Sequence, residues 1–141
     1  MSESQLPTRG QMERTLSQRI QALYREQLGH QPGKVAVTIT GEKITIIIDD
    51  VITQPEKLLV DLGQEELTEQ VRADLDQAIE GHLKEAIEEV VKSEVIDLLC
   101  DTTLATGRTG TIALLANKPK LRNSGVKASS ANKKLSTSSE E

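Results

Sequence analysis

The chain has 141 residues, a net charge of −5 and 36% hydrophobic residues, proportions that suit one small globular domain with modest extensions. Tyr24 is its only aromatic residue, so the stacking platforms of single-strand and RNA binders are missing, and its single cysteine, Cys100, excludes an internal disulfide framework or a multi-cysteine metal site. No run approaches the ~18 apolar residues of a spanning helix, and no secretory leader pattern opens the chain, so the expectation is a cytoplasmic protein without a transmembrane segment.

Residues 1–9 read as a flexible N-terminus. Met12, Leu16, Ile20, Leu23 and Leu28 then recur at helical spacing among Arg, Gln and Glu. Gly29 stands where that helix ends and Pro32 prevents its continuation. Val35, Val37 and Ile39 alternate with small or polar residues, as do Ile44, Ile46 and Ile48, with Thr40-Gly41-Glu42-Lys43 between them. A glycine at the first central position of a two-residue loop predicts a type II′ hairpin.

The second strand ends at Asp49-Asp50. Thr53-Gln54-Pro55-Glu56 has capping-box spacing, with the Thr oxygen capping backbone N–H groups and Glu56 reaching back. A short helix is predicted to about Leu62, broken near Gly63, then a longer one from about Glu65 to Lys92. The predicted inner face of the longer helix is Leu67, Val71, Leu75, Ala78/Ile79, Leu83, Ala86/Ile87 and Val90. Val95–Cys100 and Thr111–Ala116 have strand character, joined by a polar loop over 101–110. The order α-β-β-α-α-β-β predicts an α+β two-layer sandwich over 10–116, with one antiparallel sheet of about four strands and helices on one face.

Charge marks the end of this unit. Residues 117–141 hold six basic and two acidic residues, a net +4 that leaves −9 for residues 1–116. Rich in Ser, Asn and Lys, this tail buries too little to offset its ordering entropy and reads as disordered. It could contact the acidic helix, anionic lipid or nucleic acid, although six charges over 25 positions make a diffuse patch.

Each candidate for chemistry has a plain structural alternative. His82, on the long helix near Glu85 and Glu89, lacks a second imidazole at ligand spacing and reads as a helix-face histidine. His30 is placed to bind the last carbonyls of the first helix. Cys100 has no base in a motif context and reads as a small buried group. Asp50 and Asp101 end strands; together they could bind a cation or do acid–base work, but strand termination alone accounts for them. Gly107-Arg108-Thr109-Gly110, with the neighbouring threonines, could cradle an anion through backbone N–H groups, yet a hairpin connection explains it without a ligand. Lys34, just before the first strand, is the other cation at an element end. The candidate ligand-binding residues are therefore Lys34, Asp50, Asp101 and Arg108, with no catalytic residue, metal or cofactor expected. Glu65 to Glu89 form a mostly solvated acidic face.

The chain resembles the MpsC-type family over residues 11–116. The resemblance rests on Gly29-x-x-Pro32-x-Lys34, the hairpin Val35–Ile48, Asp50-x-x-Thr53-x-x-Glu56-x-Leu58, the helix containing Arg72 and the strand ending Cys100-Asp101. The family usually has Ser where this chain has Cys100, and the tail after Asn117 lies outside it. What the resemblance implies is a non-enzymatic accessory or regulatory protein of a membrane system that generates potential or takes up bicarbonate and other inorganic carbon. Its partners would be membrane transport proteins contacted peripherally at the inner face of the membrane. No catalytic residues carry over, and Gly29, Pro32, Thr53 and Glu56 are explained as structural. Self-association to a homo-oligomer is expected because an open edge of a small sheet must be covered or paired. The alternative is a nucleic-acid-binding α+β module using the basic tail, against which the −9 domain argues. An enzyme using Asp50, His82, Cys100 or Asp101 is a third reading.

Overall fold

The computed structural model describes residues 5–122. In chain order the elements are α1 (Arg9–Leu28), β1 (Val35–Thr40), β2 (Lys43–Ile48), α2 (Gln54–Asp61), α3 (Glu65–Val91), β3 (Val95–Thr103) and β4 (Arg108–Leu115). The strands form one antiparallel sheet in the order β1-β2-β4-β3. Helices α1 and α3 pack on each other and on one sheet face, and α2 packs on α3. This is the predicted α+β sandwich, with the predicted element order.

Local chemistry sets the boundaries. Thr8 and Gln11 form a reciprocal capping box at the start of α1, and Gly29 closes the helix in the left-handed conformation at φ 64°. In the β1–β2 hairpin Thr40 pairs with Lys43 and Gly41 takes φ 58°, while Glu42 does not have positive φ, as a type II′ turn requires. The β3–β4 hairpin is longer than periodicity indicates. Asp101–Thr103 and Arg108–Gly110 continue the ladder, so the connection shrinks from the predicted 101–110 to 104–107. The run of threonines there is polar but β-branched, and it fills sheet positions well.

The core lies between the sheet and the α1/α3 layer. Met12, Leu16, Ile20 and Tyr24 from α1 meet Ile44, Ile46 and Ile48 from β2 and Leu83, Ile87 and Val91 from α3. The described chain continues past the predicted domain end at residue 116. Leu121 packs on the core and the Arg122 N–H donates to Pro7 O at 2.7 Å. The reading of the tail as disordered concerns, from residue 123 onward, positions outside the described residues, as do residues 1–4.

The two sheet edges differ. At β1, Glu13 accepts from the Ile39 N–H at 2.9 Å and the Ser17 hydroxyl donates to Val35 O at 2.9 Å, so α1 side chains cover this edge. At β3, a register shift between Val95 and Asp97 bends the strand.

Candidate functional site

The main polar structure of the domain is internal and starts at Glu56. As the third residue of α2, Glu56 reaches back to its N-cap, its Oε1 accepting from the Thr53 N–H at 3.0 Å and hydroxyl at 2.8 Å. The expected capping contact is therefore made, but at a residue only 1% exposed. The same oxygen lies 3.2 Å from Nη1 of Arg72, itself 3% exposed, which also donates to Val51 O at 3.0 Å. Arg72 Nε stands 3.3 Å from Asp76 Oδ1, one helical turn on. Asp76 Oδ2 accepts from the Thr102 hydroxyl at 2.7 Å, and Thr102 shares a 2.7 Å hydrogen bond with Thr109. Glu56, Arg72, Asp76, Thr102 and Thr109 thus connect α2, α3, β3 and β4.

This network corrects the predicted inner face of α3. Leu67 is exposed and Val71 and Leu75 are half-buried, whereas Thr68 and Arg72 are buried in that half of the helix. Asp76 is half-buried, not part of a solvated acidic face. Apolar spacing indicated the right side in the second half only, where Ile79, Leu83, Ala86 and Ile87 are buried. The missed signal was charge complementarity: a buried capping carboxylate requires a buried cation within reach.

Burial dominates the electrostatics. It pushes the Asp76 carboxyl above its ordinary value, with the Thr102 hydrogen bond and Arg72 pulling the other way. It likewise holds the Tyr24 phenol well above its usual range, with nearby Asp76 adding to the effect. The half-buried Cys100 thiol is raised by burial as well, opposed by a 3.3 Å hydrogen bond shared with Thr111. Among the described residues Glu56 Oε2 and Arg72 Nε and Nη2 have no hydrogen-bond partner, the approach of Nε to Asp76 being an ion pair only. The arrangement is suited to clamping elements together, since Glu56 Oε1 and Arg72 Nη1 join the start of α2, the Val51 carbonyl and α3.

The candidate ligand residues fall in different places. Asp50 and Arg108 line one cleft of about 530 Å³ between the end of the sheet and α2, with Lys57 and Asp61. Arg108 Nε contacts Asp49 Oδ1 at 3.1 Å on the open surface. Asp101 lines a second cleft of about 330 Å³, beside Glu69, Arg72 and Asp76. Lys34 lines neither. Asp50 takes φ 56°, a left-handed conformation that Asp tolerates better than most residues. His30 Nε2 donates to Asp50 O at 2.8 Å, so it secures this turn instead of the end of α1. His82 is exposed. Gly107 is the turn glycine, at φ 72°, and its carbonyl accepts from the Val51 N–H at 3.0 Å. Among the described residues no group of three or more His, Cys, Asp or Glu side chains is placed to hold a metal ion.

The surface above the clamp has the opposite character. Glu56 is the only buried residue of α2, while Leu58 is 54%, Val60 41% and Leu62 74% exposed; Leu67, at the start of α3, is 47% exposed. Fold and site together define a small α+β domain that buries one ionic network and exposes apolar side chains on and beside α2. The chain belongs to the MpsC family, whose model, described as "Na+-translocating membrane potential-generating system (MpsC)", matches residues 8–117. That description ties the protein to a membrane-potential-generating system, and the matched span contains the whole ionic network. Neither the curated proteins nor the solved structures compared with the chain give a match. No helix among the described residues is long and apolar enough to cross a membrane.

Proposed function

We propose that this protein is a non-enzymatic accessory component of a membrane-potential-generating or bicarbonate-uptake system, docking at the inner face of the membrane onto a membrane transport protein. The observation that carries this reading is the apolar patch on α2 and the start of α3. An eight-residue helix that exposes Leu58 and Val60, is capped by the exposed Leu62 and fully buries only a glutamate, with Leu59 half-buried, gains little from packing on its own domain. Leu58 and Leu62, one helical turn apart, share a side of the helix, whereas Val60 turns toward the cleft beside Asp49 and Asp50. Exposed apolar side chains paired in this way mark sites of protein contact. The clamp supports the reading, because it fixes α2 through Glu56 and leaves the leucines free for a partner.

The test is capture of the tagged full chain from gently solubilised membranes of its own cells, with co-purifying proteins identified by mass spectrometry. Recovery of a multi-span membrane protein that is retained in high salt is the expected result. Recovery of the chain alone, or of nucleic acid that washes off with salt, overturns the proposal, the latter in favour of nucleic-acid binding through the basic tail.

A further inference from the structure

The sheet face opposite α1 and α3 has no covering element in the described domain. The ladder fixes which residues share each outward row. Ala36, Ile47, Gly110 and Asp101 form one; Thr38, Thr45, Ile112 and Leu99 the next; Thr40, Lys43, Leu114 and Asp97 the third. Ile47, Leu99 and Ile112 are 41%, 58% and 43% exposed at the centre of this face. At the end nearest the Asp49–Arg108 pair, Lys34, the residue before β1, lies across from Asp49, whose N–H donates to the Lys34 carbonyl at 2.9 Å.

We infer that this face binds a second copy of the chain, sheet on sheet, about a two-fold axis parallel to the strands. Such an axis lays β2 over β4 of the second copy and β1 over β3, row on row. Large side chains then meet small ones: Ile47 covers Gly110 of the second copy, Ile112 covers Thr45, and Leu99 covers Thr38. Charges agree as well. Asp49 comes over Arg108 of the second copy, and Lys34 lies diagonally across from Asp101 of the second copy. An axis perpendicular to the strands would instead set Asp101 against Asp97 of the second copy and isoleucine against isoleucine. Aligned sheet packing of this kind is the geometry of β-sandwiches, and two-fold pairs are the commonest assemblies.

Pairing through an edge is disfavoured. Glu13 and Ser17 occupy polar groups of the β1 edge, and β3 is bent between Val95 and Asp97. From strand spacing and rise, four strands offer a face of roughly 400 Å², below the ~800 Å² per partner of a standard stable interface. The dimer is therefore reversible and concentration-dependent.

Sedimentation velocity on the full chain over a wide concentration range tests the inference. The expected result is a monomer–dimer equilibrium, with the dissociation constant raised roughly tenfold or more by Ile112→Lys, while the melting temperature of this surface variant holds. Lys34, just before β1, and Asp101, on β3, sit at opposite edges of the sheet, too far apart to pair within one copy. Asp101→Lys is thus expected to weaken the dimer and the double variant Lys34→Asp/Asp101→Lys to restore it. Strengthening by Asp101→Lys alone, or failure of the double swap to restore, overturns the axis and the proposal with it. A chain that stays monomeric throughout overturns it too, whether residues 123–141 or a different protein covers the face.

Discussion

Arg72 is the residue on which the polar interior depends. It is the cation beside two acidic side chains, Glu56 and Asp76, and it holds the Val51 carbonyl as well. A buried pair of this kind adds little over well-packed apolar residues, but breaking it strands a buried charge. Arg72→Met is expected to cost about 3–5 kcal/mol in urea unfolding. The double variant Arg72→Met/Glu56→Gln is expected to recover most of that loss, and strictly additive losses would contradict the coupling. Asp76 predicts a pH dependence. Burial raises its folded-state pKa above the ordinary 3.8, so the folded protein holds this proton more tightly than the unfolded chain. The stabilisation is complete below 3.8 and is lost as pH rises through the folded value. Asp76→Asn, which cannot ionise, should flatten the fall in melting temperature with rising pH over that interval. An unchanged profile would show that another group is responsible.

At the scale of elements, the caps give the clearest expectations. Lys92 closes α3 in the left-handed conformation at φ 59°, where glycine is the unstrained choice. Lys92→Gly is expected to stabilise the domain by up to about 1 kcal/mol in thermal or urea unfolding. Gly107→Ala is expected to destabilise by about 1–2 kcal/mol, through strain at φ 72° beside Ile52. The order of elements was legible in the sequence because α1, the first hairpin and the second half of α3 each bury apolar side chains at one period. The lower half of α3 was not. There Thr68, Arg72 and Asp76 face inward, and their reason lies in Glu56, sixteen positions before Arg72 and on another helix. Thr53 and Glu56 were readable as a capping box, a local device; that the same carboxylate is buried against an arginine is a tertiary fact that spacing cannot carry. Tyr24 follows Met12, Leu16 and Ile20 at four-residue steps, so its place in the core was present in the pattern. The second hairpin was misjudged because threonine is polar by composition and strand-forming by shape.

For the whole molecule, the layers divide the work. The α1/α3 face of the sheet holds the core, the opposite face is the one inferred to take a second copy, and Leu58 and Leu62 are exposed on and beside α2. Leu58→Ser/Leu62→Ser removes apolar surface without disturbing Glu56, so unfolding free energy should change by no more than about 0.5 kcal/mol per site. The variant therefore separates folding from docking. The most direct measurement compares capture of a membrane protein from solubilised membranes by the full chain and by Leu58→Ser/Leu62→Ser at matched concentration and high salt. The account predicts that the full chain retains a multi-span protein and that the variant loses it while unfolding as before. Equal capture by the two would contradict it, since the partner would then be held by some surface other than α2.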